Sequence, residues 1–67
     1  MKRTALLRQA QQIANAAGTT FDFVREGGAH SVYSCNSLII PIPRHREINE
    51  ITAKAILRTV TDAAHGD

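Results

Sequence analysis

Apolar residues near the start of the chain recur at helical spacing. Leu6, Leu7, Ala10, Ile13, Ala14 and Ala17 fall on one face, and Arg8, Gln9, Gln11, Gln12 and Asn15 on the other. The spacing predicts a helix over 4–17, with Thr4 at its N-cap and Gly18 as its stop. The pattern then changes. Thr20, Phe21, Phe23 and Val24 favour extended backbone, and Phe21 and Phe23 share one face at period two, which predicts a strand over 20–25. Gly27-Gly28 punctuates the chain as a turn. A second strand is expected over 30–34, around Val32 and Tyr33, and a small polar turn over 34–37. The third strand, Leu-Ile-Ile-Pro-Ile over 38–42, would turn Leu38, Ile40 and Ile42 to the core. Pro41 has no N–H to give to a ladder, so it argues for an edge or a strand end. A second helix is predicted over 49–64. Asn49 is its expected cap, Ile51, Ala55, Ile56, Val60 and Ala63 its apolar stripe, and Glu50 and Lys54 a supporting pair. Gly66 and Asp67 are expected to fray.

The order is helix, three strands, helix. An α+β domain of αβββα order, with both helices on one face of a three-stranded antiparallel meander, buries every apolar stripe once. This is the element order of a double-stranded-RNA-binding-type fold. Unrelated small domains share it, so the order alone assigns no function.

Composition narrows the class. The 67 residues, 1–67, make a single domain with a modest core. Eight Lys and Arg against six Asp and Glu give a net charge of +2, which permits nucleic-acid binding without requiring it. The single cysteine, Cys35, excludes an intrachain disulfide and a paired-cysteine zinc motif, and suits a reducing cytoplasm. Arg8, Gln9, Gln11 and Gln12 interrupt the apolar start too early for a signal peptide. No apolar run approaches the ~20 residues of a membrane span. The expectation is a cytoplasmic protein with no membrane partner and no cofactor.

Two groups of residues carry candidate chemistry. His30 follows Gly27-Gly28-Ala29 at the start of a strand, where small residues leave it open to a ligand, and imidazole titrates near neutrality. Such a group can take the proton of a ribose 2′-OH as that oxygen attacks the neighbouring phosphate, while nearby cations stabilise the added negative charge. The plain alternative is a surface histidine without a role. Arg44, His45 and Arg46 form a basic connector after Pro43, and Lys54 and Arg58 lie four apart on the next helix, a set able to track a phosphate backbone. The alternative there is a solvated face with ion pairs to Glu47, Glu50 and Asp62. Metal binding by His30, His45 and Cys35 has no usual ligand spacing behind it. Cys35 as a nucleophile has no sequence feature to lower its pKa and reads as a turn residue or a small hydrophobe. Tyr33 reads as sheet packing.

From Phe21 to Leu57 the chain resembles the HicA family of toxin–antitoxin mRNA interferases. The resemblance is carried by Arg25-Glu26-Gly27-Gly28-Ala29-His30-Ser31-Val32-Tyr33, where that family typically has Arg, two variable residues and Gly-Ser-His. It continues through Ile40-Pro41-Ile42-Pro43-Arg44-His45, Glu47-Ile48 and Thr52-Ala53-Lys54-Ala55-Ile56-Leu57. It implies a metal-independent endoribonuclease with His30 as general base, Gly28 and Ala29 in the turn that presents it, mRNA or other single-stranded RNA as substrate, and a HicB-type antitoxin as partner. The chain departs from the family at Ala29, where serine is usual, at Ser31, where a second histidine is frequent, and at Cys35-Asn36-Ser37, which replaces a glycine-containing turn. Two other readings remain open: a non-catalytic RNA-binding module of the same fold, and a protein-interaction domain whose basic residues serve solubility.

Overall fold

The structure is a computed structural model and describes residues 1–66. Helix α1 (Arg3–Ala16) starts one residue before the predicted boundary, and Lys2, not Thr4, stands at its N-cap without a side-chain capping bond. Tertiary pairing sets this start. Lys2 forms a β-bridge with Glu47, the Arg3 N–H donates to the Arg46 carbonyl at 2.8 Å, and the Ile48 N–H donates to the Met1 carbonyl at 2.7 Å. The other end follows the sequence. Gly18 takes the left-handed φ of 80°, and the N–H groups of Gly18 and Thr19 return to the carbonyls of Asn15 (3.0 Å) and Ala14 (2.9 Å). This is the Schellman closure, which glycine adopts without a Cβ penalty.

Strands β1 (Asp22–Gly27), β2 (His30–Cys35) and β3 (Leu38–Pro43) form an antiparallel sheet in the order β1-β2-β3. β1 lies two residues later than its predicted span, and it carries a bulge: Phe23 pairs with Tyr33, Arg25 with Val32, and Val24 is the extra residue. Both connections are two-residue turns. Gly28 (φ 49°) and Ala29 make the first, so Gly27 belongs to the strand and not to the turn. Asn36 (φ 48°) and Ser37 (φ 71°) make the second, with the two positive φ angles of a type I′ hairpin. The turn is thus shorter than 34–37, and Cys35 closes β2 with 1% of its surface exposed, a core residue and not a turn residue. Pro41 lies in an edge strand opposite Val32.

Helix α2 (Glu50–Ala64) is capped by Asn49, whose side chain accepts from the Ile51 N–H at 2.8 Å. Its buried stripe is Ala53, Val60 and Ala64, with Ile56, Leu57 and Ala63 half-buried. Ile51 (80% exposed) and Ala55 face solvent, because the turn-by-turn spacing runs through Ala53 and not through Ile51. Glu50 turns to the Met1 amine at 2.8 Å, and no ion pair joins it to Lys54. Gly66 takes a left-handed φ of 78° and its N–H donates to the Ala63 carbonyl at 3.1 Å, while Asp67 lies outside the described residues.

The core joins Leu6, Ala10 and Ala14 of α1 to Phe21, Ile40, Ile42, Ile48 and α2. Tyr33 stacks on Phe21 with ring centroids 4.7 Å apart, and Phe23 meets the same Tyr33 edge-on at 5.6 Å while remaining 54% exposed. Leu38 opens the edge strand and stays 45% exposed instead of entering the core. Cross-strand partners share a face. Ser31, Tyr33 and Cys35 therefore face the helices with Ile40 and Ile42, while His30, Val32 and Ser34 share the opposite face with Ile39, Pro41 and Pro43.

Candidate nucleic-acid interface

His30 is the first residue of the central strand, exposed, and paired with Gly27 on one side and Pro43 on the other. The positive φ of Gly28 allows the tight turn that brings it there. Pro43 leads directly into Arg44, His45 and Arg46, all exposed. The fold thus brings the predicted base and the basic connector to one end of the sheet. Arg25 adds a cation on the face of His30. Its Nη1 lies only 2.8 Å from where a Cβ on Gly27 would stand, and Gly27 is the direct partner of His30.

On the helix face of the same sheet end lies a polar chain that the sequence reading missed. Ser31 is 1% exposed. Its hydroxyl accepts from Arg3 Nη2 at 2.7 Å and donates to the Glu26 carboxylate, with Oε1 at 3.0 Å and Oε2 at 3.2 Å. Arg3 Nε donates to the Pro43 carbonyl at 3.0 Å, and Glu26 Oε1 pairs with Arg44 Nη1 at 3.3 Å. These bonds satisfy a buried hydroxyl and fix the Arg3 guanidinium against the two residues that flank His30, in sequence through Ser31 and across the sheet through Pro43. Glu26 opposite Ser31 was legible once the hairpin register was known. Arg3 was not, because nothing local connects residue 3 to residue 43.

Lys2, Arg3, Thr4, Arg44 and Arg46 line a hollow of about 320 Å³ beside this chain. The other predicted contacts do not join it. His45 is exposed and makes no hydrogen bond among the described residues. Lys54 and Arg58 stand on the exposed side of α2, outside the hollow and without an ion pair among the described residues. Of the acids expected to neutralise them, Glu47 (3.6 Å) and Glu50 (2.8 Å) face the Met1 amine, and Asp62, one turn after Arg58, forms no ion pair among the described residues. The hydrogen bond to Glu50 holds that amine above its usual pKa, and the same bond, with the charge of the amine, holds the Glu50 carboxyl below its own.

Cys35 and the metal alternative find no footing in the geometry. Burial, with a smaller push from Asp22, raises the Cys35 thiol above its usual pKa, the opposite of an activated nucleophile. Among the described residues no three His, Cys, Asp or Glu side chains gather as metal ligands, and buried Cys35 is not grouped with exposed His30 and His45. Comparison of the chain with protein-family models, with curated proteins and with solved structures finds no match.

Proposed function

We propose that this domain is an endoribonuclease of the HicA toxin type, acting on single-stranded RNA and held in check by a HicB-type antitoxin. The observation that carries the reading is the setting of His30: an exposed imidazole at the end of the central strand, with Arg25 on its own face and Arg3 and Arg44 joined to the residues around it. In this reading His30 takes the proton of the 2′-OH. The freed oxygen attacks the adjacent phosphorus, the 5′-oxygen of the next nucleotide leaves and gains a proton from water, and the products are a 2′,3′-cyclic phosphate and a 5′-hydroxyl. Arg25, the guanidinium on the face of His30, offsets the charge that builds on the phosphate oxygens. No step calls on a metal.

A second reading is favoured by one feature: the His30 side chain makes no hydrogen bond among the described residues, so no side chain orients its ring. A non-catalytic RNA-binding module needs no such orienter. The two separate in one experiment. Wild type and His30→Ala, both verified as folded by circular dichroism, are incubated with an unstructured RNA in excess chelator. Cleavage by wild type and its loss in His30→Ala, by about 10²-fold or more, is the expected result. Undiminished cleavage by His30→Ala removes His30 from the mechanism, and binding without cleavage by either protein establishes the second reading.

A further inference from the structure

The hollow at the start of α1 has the composition of an anion site. Four of its five lining residues, Lys2, Arg3, Arg44 and Arg46, are cations drawn from two segments far apart in sequence, and the fifth is Thr4. The two segments are not free to drift apart. The Lys2–Glu47 bridge, the Arg3 N–H to Arg46 carbonyl bond (2.8 Å) and the Ile48 N–H to Met1 carbonyl bond (2.7 Å) hold one against the other. Arg3 is fixed by Ser31 and Pro43, so its orientation is set before any ligand arrives.

The carboxylates near the hollow leave it cationic. Glu26 touches Arg44 at 3.3 Å, and Glu47 and Glu50 are engaged by the Met1 amine at 3.6 and 2.8 Å. Lys2, Arg3 and Arg46 have no carboxylate partner among the described residues. The helix end agrees with this. α1 has no capping side chain and no acid in its first turn, and the N–H groups of Thr4 and Ala5 meet no protein acceptor among the described residues.

We infer that this hollow holds one phosphate of an RNA strand, with Lys2, Arg3 and Arg46 as its cations and Thr4 beside them. The inference rests on the reading of the domain as an RNA-binding enzyme and deepens it. Because Arg3 bonds to Ser31 and to the Pro43 carbonyl, the held phosphate lies on the helix side of the sheet end whose backbone carries His30. The His30 side chain stands on the other face of the sheet, so a strand seated in the hollow reaches it by passing around this end of the sheet, and the hollow limits which nucleotides can do so. Lys2 and Arg46 reach the phosphate without a role in the fold's hydrogen-bonded polar chain, so their side chains can be changed with the domain intact. Arg3 is a positioning residue for the strand as well as a structural one, and it is not the residue to test first.

The test uses the full chain and a short oligouridylate carrying 2′-O-methyl groups, which blocks cleavage and isolates binding. Affinity is measured by fluorescence anisotropy across a salt series for wild type, Lys2→Gln, Arg46→Gln and, as a control on an exposed face outside the hollow, Arg8→Gln. Amide shifts are mapped by NMR with the same oligonucleotide, with and without a 5′-phosphate, and with inorganic phosphate alone. The expected results are shifts at Thr4, Ala5 and residues 44–46, and a roughly ten-fold loss of affinity in each hollow variant. Each should also lower the salt slope by about 0.7, the loss of one single-strand phosphate contact, and Arg8→Gln should change neither quantity. Shifts with every oligonucleotide place a backbone diester in the hollow; shifts confined to the 5′-phosphorylated form or to inorganic phosphate mean a terminal or free phosphate and overturn the strand inference. Unchanged affinity in both hollow variants overturns it as well. If cleavage by wild type then persists, the enzyme reading stands without the hollow; if the hollow binds and nothing is cleaved, the hollow stands without the enzyme.

Discussion

The Asn36–Ser37 turn offers a measurement of what this small domain gives up to strain. Both residues take positive φ, 48° and 71°. Asparagine tolerates that region well, while serine does not, and a left-handed conformation costs a residue with a Cβ about 1–2 kcal/mol. Ser37 is exposed and its side chain makes no hydrogen bond among the described residues, so nothing is lost with it. Ser37→Gly relieves the strain and adds about 0.5–1 kcal/mol of unfolded-state entropy against folding, for a net gain of about 0.5–1 kcal/mol. For a chain of this size that raises Tm by about 2–8 °C. Thermal melts followed by circular dichroism give the shift, with urea unfolding as a second readout. Asn36→Gly is the internal control. It frees the same kind of backbone but removes the bonds from Asn36 Nδ2 to the Ala63 and Ala64 carbonyls (2.9 and 3.3 Å) and the one from Thr19 (2.7 Å), so it should destabilise. A Ser37→Gly protein that melts at or below wild type, or an Asn36→Gly protein that gains as much, refutes the account of the turn.

Three other outcomes are expected. Ile42→Ala, at a side chain with no exposed surface, should lower stability by about 3 kcal/mol and Tm by more than 10 °C, measured by the same melts. The raised pKa of the Met1 amine means its contribution is complete below the ordinary value of 8.0 and fades as pH rises through the raised one. The lowered pKa of Glu50 means its contribution is complete above 4.5 and fades as pH falls through the lowered one. Urea midpoints should therefore be highest between those limits, and Glu50→Gln should flatten the profile at both ends. Cys35, buried with a raised pKa, should resist iodoacetamide in the native protein and react promptly in denaturant; equal rates in the two states would contradict its place in the core.

What the sequence disclosed follows the range of the interactions involved. The Gly18 stop, the Asn49 cap and the α1 stripe are local, and each stands where the pattern puts it. The αβββα order and both helices on one sheet face follow from the same patterns. The errors arise where a partner distant in sequence decides. Thr4 lost the N-cap to Lys2 because pairing with Glu47 fixes the backbone there. The α2 stripe runs through Ala53 and leaves Ile51 and Ala55 exposed because packing against α1 and the sheet, not the local pattern, sets the rotation of the helix. The turn limits at Gly27 and Cys35 moved because the bulge at Val24 resets β1 and the second hairpin needs only two residues. His30, Arg44 and Arg46 were visible as residue types near a turn and after a proline. Arg3, Ser31 and Glu26 became visible only when the fold joined them.

The clip between Lys2 and Glu47 also orders events in time. The two hairpins and two helices form from neighbours along the chain, whereas the Met1 amine reaches Ile48 across 47 residues. Closure of so long a loop is expected late, after the meander has shortened the path between its ends. Interactions made after the folding barrier slow unfolding more than they speed folding. The amides of Arg3 and Ile48, which seal the clip, should accordingly exchange with solvent through a small local opening before the sheet comes apart. Each opening separates the two walls of the cationic hollow. The hollow should therefore have a lifetime of its own, shorter than that of the fold, and an RNA phosphate seated across both walls would lengthen it.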